Sequence, residues 1–372
     1  MKALFTTFPA YGHLLPMLPL ARAAAAAGDD VVIATHGDLH GAADGLPTRE
    51  FGPSLPALMA ENDARSGQDV LGYRNDRSDE APDLLAATVA LFTTTYADLA
   101  FDEMLKIATD ERPDVILAEM WDFVTPLVAQ RLGIPWVTFV HSPATVVDAV
   151  LAAGAADAGA RRDLVEPAPL ATIQLWPDWL ETLPRSGGSE TIAISSDAYD
   201  TAARIDIPAF DDDRPVVLVT LGTVVDDLEL LRSAVRAVLD AGANALVTTG
   251  FTATPADLEA DPARVRAVSF APIAQLLDRV QAVIAAGGSG TTLATLSRGL
   301  PIAFVPRIAN QPQVAAAVTA LGAGITPDSL AGAVPTLLGT PSLREAAAEA
   351  RTRLDQRPSP ATAWSTLRSR IS

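Results

Sequence analysis

A glycine-rich run at residues 285–292 has the residue types and spacing of an anion-binding loop. It reads Ala-Ala-Gly-Gly-Ser-Gly-Thr-Thr and separates a short apolar stretch from a segment whose apolar face includes Leu293 and Leu296. Glycine lets the backbone approach a ligand closely, and the N–H groups that open a helix have no partner inside it. A strand, this loop and a helix could therefore hold a diphosphate. The alternative is a tight turn in which glycine serves packing alone.

Two further candidates follow short apolar stretches in the first half of the chain. His13 lies in the loop 8–16, between the stretch 3–7 and a helical pattern, and Glu119 ends the stretch 113–119. If both stretches are strands of one parallel sheet, these side chains lie at its carboxyl edge, where ligands bind. A neutral imidazole can accept a proton from a hydroxyl. The alternatives are a histidine bonded to the backbone at a helix start and a solvated loop carboxylate.

Short apolar strands alternate with helical patterns along the whole chain, which is typical of α/β proteins with parallel sheets. The predicted strands are residues 3–7, 31–35, 115–118, 136–140, 216–221, 245–248, 265–269, 282–285 and 302–305. The predicted helices are residues 16–27, 82–109, 123–132, 227–240, 291–298, 313–321 and 343–354. A capping box is predicted at 342–345, at the start of the last helix.

These elements predict two doubly wound, Rossmann-like domains that face each other across a cleft. The first covers residues 1–208 and the second 209–356, and the helix at 357–372 is expected to pack back on the first. A charged, proline-containing stretch at 211–215 is interpreted as a linker. Ligands are expected in the crevice at the carboxyl ends of the strands.

Composition excludes several classes of function. With 27 Lys and Arg against 45 Asp and Glu, the formal net charge is −18, which disfavours nucleic acid and anionic membranes as partners. The chain has no cysteine, so disulfides, zinc thiolates and thiol nucleophiles are excluded. The first residues run directly into a predicted strand, and no apolar stretch reaches the length of a membrane span. We therefore expect a cytoplasmic protein.

The order of several motifs in the second half resembles that of nucleotide-diphosphate-sugar glycosyltransferases. Around the glycine-rich run stand, in chain order, residues 219–223 (Val-Thr-Leu-Gly-Thr), 270–273 (Phe-Ala-Pro-Ile), 299–301 (Gly-Leu-Pro), 305–312 (Val-Pro-Arg-Ile-Ala-Asn-Gln-Pro) and 321–324 (Leu-Gly-Ala-Gly). The chain is similar to the enzymes with the two-Rossmann GT-B fold, in particular the bacterial ones that decorate macrolides, glycopeptides and other antibiotics. The resemblance covers nearly the whole chain and is strongest at residues 2–32 and 216–324.

The resemblance implies roles for individual residues. His13 would be the general base, oriented by Glu119 or else by Asp122. Tyr11, His141 and Trp176 are candidates for binding the acceptor, although His141 could serve a turn and Trp176 could be a structural anchor. The residues implied in donor binding are Gly222, Thr223, Phe270, Ile273, Ala286, Gly287, Gly288, Ser289, Gly290, Thr291, Asn310 and Gln311.

Two positions differ from the family pattern, both on the donor side. Ala286 stands where the family has a histidine that binds the diphosphate, and Asn310 where it has an aspartate that binds the sugar. The main-chain N–H groups at residues 287–291 do not depend on either side chain.

The predicted function is therefore inverting transfer of a sugar, with a deoxysugar favoured, from a TDP- or UDP-sugar to a polyketide or other natural-product acceptor. The resemblance implies no metal and no tightly bound cofactor, because helix N-termini stabilise the leaving diphosphate. The alternatives are an enzyme without a sugar donor that performs other acid–base chemistry on a natural product, and a non-catalytic GT-B partner protein. An oligomer is compatible with the sequence.

Overall fold

The computed structural model shows two α/β units, each built on one parallel sheet. The first unit comprises Met1–Ile194 and Pro358–Ser372, and the second comprises Ser195–Arg357. Two α/β domains with parallel sheets are the predicted fold class. The described residues are 1–66, 84–144, 150, 154, 156–165, 167–181, 189–196, 198–201 and 204–371. Within these ranges, none of the helices has the length and apolar character needed to cross a membrane.

The first unit contains a sheet of seven strands in the order β3-β2-β1-β4-β5-β6-β7. These strands are Lys2–Thr6 (β1), Asp30–Thr35 (β2), Thr48–Glu50 (β3), Val115–Glu119 (β4), Trp136–Val140 (β5), Ala171–Gln174 (β6) and Glu190–Ala193 (β7). β1 and β4 are parallel neighbours, with Thr6 opposite Ala118. The segments that follow these two strands therefore leave the sheet side by side, at its carboxyl edge.

Helices cover the sheet of the first unit, and its central strands are apolar on both faces for that reason. The helices are Tyr11–Leu14 (α1), Leu18–Ala26 (α2), Leu55–Ser66 (α3), Leu84–Val89 (α4), Tyr96–Glu111 (α5), Thr125–Leu132 (α6) and Ala156–Ala160 (α7). The helix Pro360–Ile371 returns to this unit, where the indole N–H of Trp364 donates to the buried Asp29 carboxylate at 2.8 Å.

The second unit contains a sheet of six strands in the order β10-β9-β8-β11-β12-β13. These strands are Val216–Thr220 (β8), Asn244–Thr248 (β9), Val265–Val268 (β10), Ala282–Ala285 (β11), Ile302–Phe304 (β12) and Gly324–Ile325 (β13). The remaining helices are Leu228–Asp240 (α8), Ile273–Leu277 (α9), Ser289–Leu296 (α10), Gln311–Leu321 (α11), Ala333–Gly339 (α12), Pro341–Asp355 (α13) and Pro360–Ile371 (α14). β11 pairs with β8 on one side and β12 on the other.

Some predicted helix bounds are wrong. Residues 16–27, predicted as one helix, are divided between a 3-10 turn at Leu15–Met17 and α2, and the short helix α1, which was not predicted, precedes them. Pro16 and Pro19 are the second residues of the 3-10 turn and of α2, in the first turn of a helix, where the missing N–H of proline costs little. α13 begins at Pro341 after Thr340, without a side-chain cap, so the predicted capping box is also wrong.

The long helix predicted at 82–109 is divided. Within the described residues it consists of α4, a π-helical turn at Ala90–Thr95 and α5, and residues 82 and 83 lie outside them. The sequence analysis also missed four short strands, β3, β6, β7 and β13, which have two to four residues each. Runs this short carry too few residues for a periodicity of two to be recognised.

Candidate active site

One candidate site, in the first unit, is built around a buried carboxylate at the end of β4. The Glu119 side chain is 0 % exposed and accepts four hydrogen bonds, two at each oxygen. Oε1 accepts from the main-chain N–H of Phe8 at 3.3 Å and from Nδ1 of His13 at 3.0 Å. Oε2 accepts from the main-chain N–H of Trp121 at 2.9 Å and from Nε2 of His141 at 3.2 Å. The carboxylate therefore has donors on both sides.

These donors decide the charge of Glu119. Burial acts to raise the pKa of this carboxyl, but the electrostatic interaction with His13 and the hydrogen bonds from His13 and His141 outweigh it and hold the pKa well below its usual range. Glu119 is therefore ionised at neutral pH. An ionised carboxylate only accepts hydrogen bonds, so both ring nitrogens that face it carry protons.

His13 has the geometry of a general base. It lies in α1 and its side chain is 19 % exposed, so one edge of the ring remains accessible. Because Nδ1 donates to Glu119, Nε2 is the nitrogen left to accept a proton. The alternative of a side chain bonded to the backbone is not what the structure shows, since the imidazole bonds a carboxylate. His13 and Glu119 thus form the predicted pair.

An aromatic cluster packs beside His13, and the sequence analysis missed it. The Phe8 ring lies 5.2 Å from the imidazole and 4.7 Å from the Phe92 ring, which in turn lies 4.7 Å from the Trp121 ring. Phe92 belongs to the π-helical turn, a feature that often marks a functional site. The surroundings of His13 are therefore strongly apolar on this side.

Asp122 was the second candidate for orienting His13, and it takes part in a different set of hydrogen bonds. Asp122 accepts hydrogen bonds from the main chain of Val124 and Thr125 and from the hydroxyls of Thr6 and Thr125. Burial raises the pKa of Asp122. The Asp122 side chain therefore links the start of α6 to β1. The carboxylate that bonds to His13 is that of Glu119, not that of Asp122.

Tyr11 and Trp176 differ in accessibility. The Tyr11 hydroxyl donates to the main-chain oxygen of Asp38 at 3.4 Å, in a partly exposed position. Trp176 is 0 % exposed, which favours the structural anchor over a ring that stacks on an acceptor. Its indole N–H has no hydrogen-bond partner within the described ranges.

A second candidate site, in the second unit, is the glycine turn, residues 286–288, which follows β11. Gly287 has φ of 101°, and a Cβ there would lie 3.1 Å from the main-chain oxygen of Gln311. Only glycine fits this position without strain. α10 begins at Ser289, so the first N–H groups of the helix, at Ser289, Gly290 and Thr291, have no partner inside it.

Two hydroxyls at this helix start are buried without a partner in the described part of the chain. They belong to Ser289, which is 7 % exposed, and Thr292, which is 0 % exposed. A buried hydroxyl without a hydrogen bond is costly, so these two hydroxyls and the N–H groups of the helix start are suited to bind a polar ligand. Gly222 and Thr223 follow β8, the neighbour of β11, and so lie beside the same turn.

The structure places Ala286, Gln311 and Asn310 in different environments around the glycine turn. Ala286 is 2 % exposed and belongs to the apolar core of the second unit, so only its main chain can contact a ligand. Gln311 uses its side-chain oxygen to accept from the main-chain N–H groups of Arg307 and Ile308, at 2.8 and 3.0 Å. This side chain shapes the loop before α11. Asn310 precedes α11 and makes no side-chain cap.

The donor-binding candidates Phe270 and Ile273 follow β10, the strand at one end of the sheet, whereas the glycine turn follows β11. The Phe270 ring stacks on Phe251, with 5.4 Å between centroids, and Phe251 is 54 % exposed. Ile273 is the first residue of α9, and both Phe270 and Ile273 are half-buried. Phe270 is therefore not a core aromatic.

The side chains of His13, Glu119 and His141 could also hold a metal ion. Their ligand atoms lie within 4.8 Å of one another. In the structure the two histidines instead donate N–H groups to the carboxylate. These hydrogen bonds use the carboxylate lone pairs, and the two protonated ring nitrogens have no lone pair to offer a metal.

Comparison with solved structures gives the class of the protein. SsfS6, the glycosyltransferase of Streptomyces sp. SF2575 solved in complex with thymidine diphosphate, has a TM-score of 0.81 and 25 % identity, over 99 % of each chain. The glycosyltransferase SnogD from Streptomyces nogalater has a TM-score of 0.76 and 28 % identity, over 100 % of this chain and 99 % of that one. The fold is that of the GT-B glycosyltransferases.

Sequence comparison gives the family. The family models for the N-terminal and C-terminal domains of erythromycin biosynthesis protein CIII-like proteins match residues 22–172 and 228–368, and the chain belongs to this family of natural-product glycosyltransferases. It is 31 % identical to the elloramycin glycosyltransferase ElmGT of Streptomyces olivaceus, over 97 % of this chain and 95 % of that one. It is 28 % identical to the L-demethylnoviosyl transferase of Streptomyces niveus, over 88 % and 85 %. The protein is an enzyme that transfers sugar.

Proposed function

We propose that the enzyme transfers a sugar, with a deoxysugar favoured, from a TDP- or UDP-sugar to a hydroxyl group of a polyketide or related antibiotic, with inversion at the anomeric carbon. The observation that carries the proposal is the bond from His13 Nδ1 to the buried, ionised Glu119 at 3.0 Å. It leaves Nε2 as a base in a partly exposed position. The apolar cluster of Phe8, Phe92 and Trp121 beside it supports an apolar acceptor.

The donor assignment is supported by the glycine turn and the start of α10. The N–H groups of residues 289–291 and the unpaired hydroxyl of Ser289 supply donors for the oxygens of a diphosphate. SsfS6, which shares the fold, was solved with thymidine diphosphate. In this proposal no metal takes part.

The proposed reaction is a single displacement. The acceptor oxygen forms a bond to the anomeric carbon while His13 Nε2 takes the hydroxyl proton. The bond between the anomeric carbon and the diphosphate oxygen breaks, and the electron pair leaves with the diphosphate. Attack from the face opposite the leaving group inverts the configuration. Glu119 stabilises the imidazolium that forms, and the α10 N-terminus stabilises the charge on the diphosphate.

Ala286 and Asn310 should weaken donor binding without abolishing it. Each lost hydrogen bond to a charged group costs about 1.5–3 kcal/mol, which is roughly tenfold to somewhat over a hundredfold in affinity. The main-chain contacts survive both departures. We also propose that the enzyme works in the cytoplasm, on the strength of its cysteine-free composition.

The test combines binding and product analysis. Calorimetry with TDP and UDP should show binding, and incubation of a TDP-sugar with polyketide acceptors should give a product heavier by one glycosyl unit, with inverted configuration by NMR. His13→Ala should lose transfer and keep TDP binding, since it lies in the other unit. EDTA should leave the rate unchanged. Turnover of an acceptor with nothing added would favour the alternative acid–base enzyme, and the absence of both binding and turnover would favour a non-catalytic partner.

A further inference from the structure

A second histidine, His141, contacts the same carboxylate as the base, and the proposed mechanism gives it no role. It follows β5, which pairs with β4 so that Phe139 lies opposite Glu119. The sequence analysis named it as a candidate for binding the acceptor, with a turn role as the alternative, and its side chain is only 5 % exposed. Its Nε2 lies 3.2 Å from Oε2 of Glu119.

The four donors around Glu119 divide into two pairs. Phe8 and Trp121 donate from the main chain, and their positions are set by the fold. The two imidazoles donate from side chains, one to each oxygen. His141 and Trp121 together hold Oε2, and this turns Oε1 towards His13.

Both histidines must donate for this arrangement to persist. A protonated Glu119 would offer an O–H to one of them and lose its hold on the Nδ1 tautomer of His13. Burial lowers the pKa of His141, so it stays neutral and donates through a single proton on Nε2. Four ionisable side chains surround Glu119. His13 from α1 and His141 after β5 bond to it, and the Glu119 charge raises the pKa of Asp122 and of Tyr96 from α5.

We propose that His141 is a positioning residue: by binding Oε2 it holds the Glu119 carboxylate in its orientation, and so fixes the tautomer and direction of His13. This rests on the proposed function, in which His13 is the base. The rings of the two histidines meet edge to face, with centroids 5.2 Å apart, so His141 also limits the rotation of the base.

The experiment compares two substitutions in the full-length protein. His141→Phe keeps a ring and removes the donor, whereas His141→Gln places an amide N–H near the position of Nε2. We expect His141→Phe to lower kcat by roughly tenfold to a hundredfold, the effect of one hydrogen bond to a charged group, with KM for the acceptor unchanged. His141→Gln should recover most of kcat. His36→Phe is the matched control, since His36 lies near Glu50 rather than Glu119 and should keep the wild-type rate.

A spectroscopic measurement separates this proposal from the proposed function. The chain has four histidines, so the ring ¹⁵N shifts can be assigned individually. Without any substrate, the wild type should show His13 protonated on Nδ1, and His141→Phe should show a mixture of tautomers. If the wild type transfers no sugar but the tautomer still depends on position 141, the proposed function fails and the positioning role stands.

Three results would overturn the positioning role. One is an unchanged His13 tautomer in His141→Phe. Another is a loss of kcat that His141→Gln does not restore although that variant is folded. A third is a rise in the acceptor KM with kcat unchanged, which would indicate an acceptor contact instead. If His141→Phe does not fold, the test uses the His13 ring ¹⁵N shifts and the kcat of His141→Gln. A mixture of His13 tautomers in that variant would also overturn the positioning role.

Discussion

Replacing Glu119 with glutamine tests the proposed acid–base pair most directly, because it exchanges one oxygen for an NH2 group and removes the charge. Four donors point at the two oxygens, so the new NH2 group meets donors on whichever side it lies. The Trp121 N–H is 2.9 Å from Oε2 and the Phe8 N–H is 3.3 Å from Oε1. The shorter main-chain bond favours keeping oxygen at Oε2, which turns the new NH2 group towards His13.

The magnitude follows from the tautomer of His13. Its Nδ1 can satisfy the new NH2 group only by accepting, and the imidazole proton then moves to Nε2. A histidine with its proton on Nε2 cannot take another from the acceptor. We therefore expect Glu119→Gln to lower kcat/KM by about 10²–10⁴-fold, the range that a general base contributes. The Phe8 N–H that loses its acceptor should also lower the free energy of unfolding, by about 1–3 kcal/mol.

The assay measures kcat/KM by product formation and the free energy of unfolding by urea titration. Glu349→Gln is the matched control, since it makes the same change on the exposed face of α13. TDP binding should be equal in both variants, because Glu119 lies in the other unit from the glycine turn. A Glu119→Gln enzyme that keeps the wild-type kcat/KM would refute the reasoning, and the pair would then have a structural role only.

Three further predictions concern pH and the glycine turn. Burial lowers the pKa of His141, so between about pH 7 and pH 5 the unfolded chain binds a proton that the folded chain does not, and stability should fall as the pH falls. Urea titrations should show this decline to be steeper in the wild type than in His141→Gln, by up to about 1.4 kcal/mol per pH unit. Ser289→Ala should weaken TDP binding by roughly tenfold to a hundredfold in calorimetry without lowering the melting temperature, and unchanged affinity would remove Ser289 from the diphosphate site. Gly287→Ala should cost about 1–3 kcal/mol of folding free energy because of its positive φ and the close Gln311 oxygen, whereas Gly288→Ala, with open space at its Cβ, should not.

Local pattern was enough to predict the elements that are buried in the centre of each sheet. β1, β4, β8 and β11 are apolar on both faces because helices cover them, and such runs stand out from the polar sequence around them. The glycine-rich run could also be recognised from the sequence, because glycine is the residue that adopts a positive φ, such as that of Gly287, without strain. That His13 and Glu119 lie at one edge was predictable because parallel strands bring their carboxyl ends together. Their pairing was implied by the family resemblance, which left Asp122 open as the partner.

Contacts between distant segments depended on three-dimensional packing. The edge strands β3 and β13 are too short to show a period, and the predicted boundary at 208 differs from the end of the first unit at Ile194. The bond from His141 to Glu119 requires the register of β5 against β4, which no local pattern encodes. Likewise, the side-chain oxygen of Gln311 is taken up by the main chain of its own loop, a choice made by how that loop folds. Residue type therefore identified the groups able to do chemistry, and packing chose their partners, because a hydrogen bond needs two atoms within about 3 Å and the chain brings them together only when it folds.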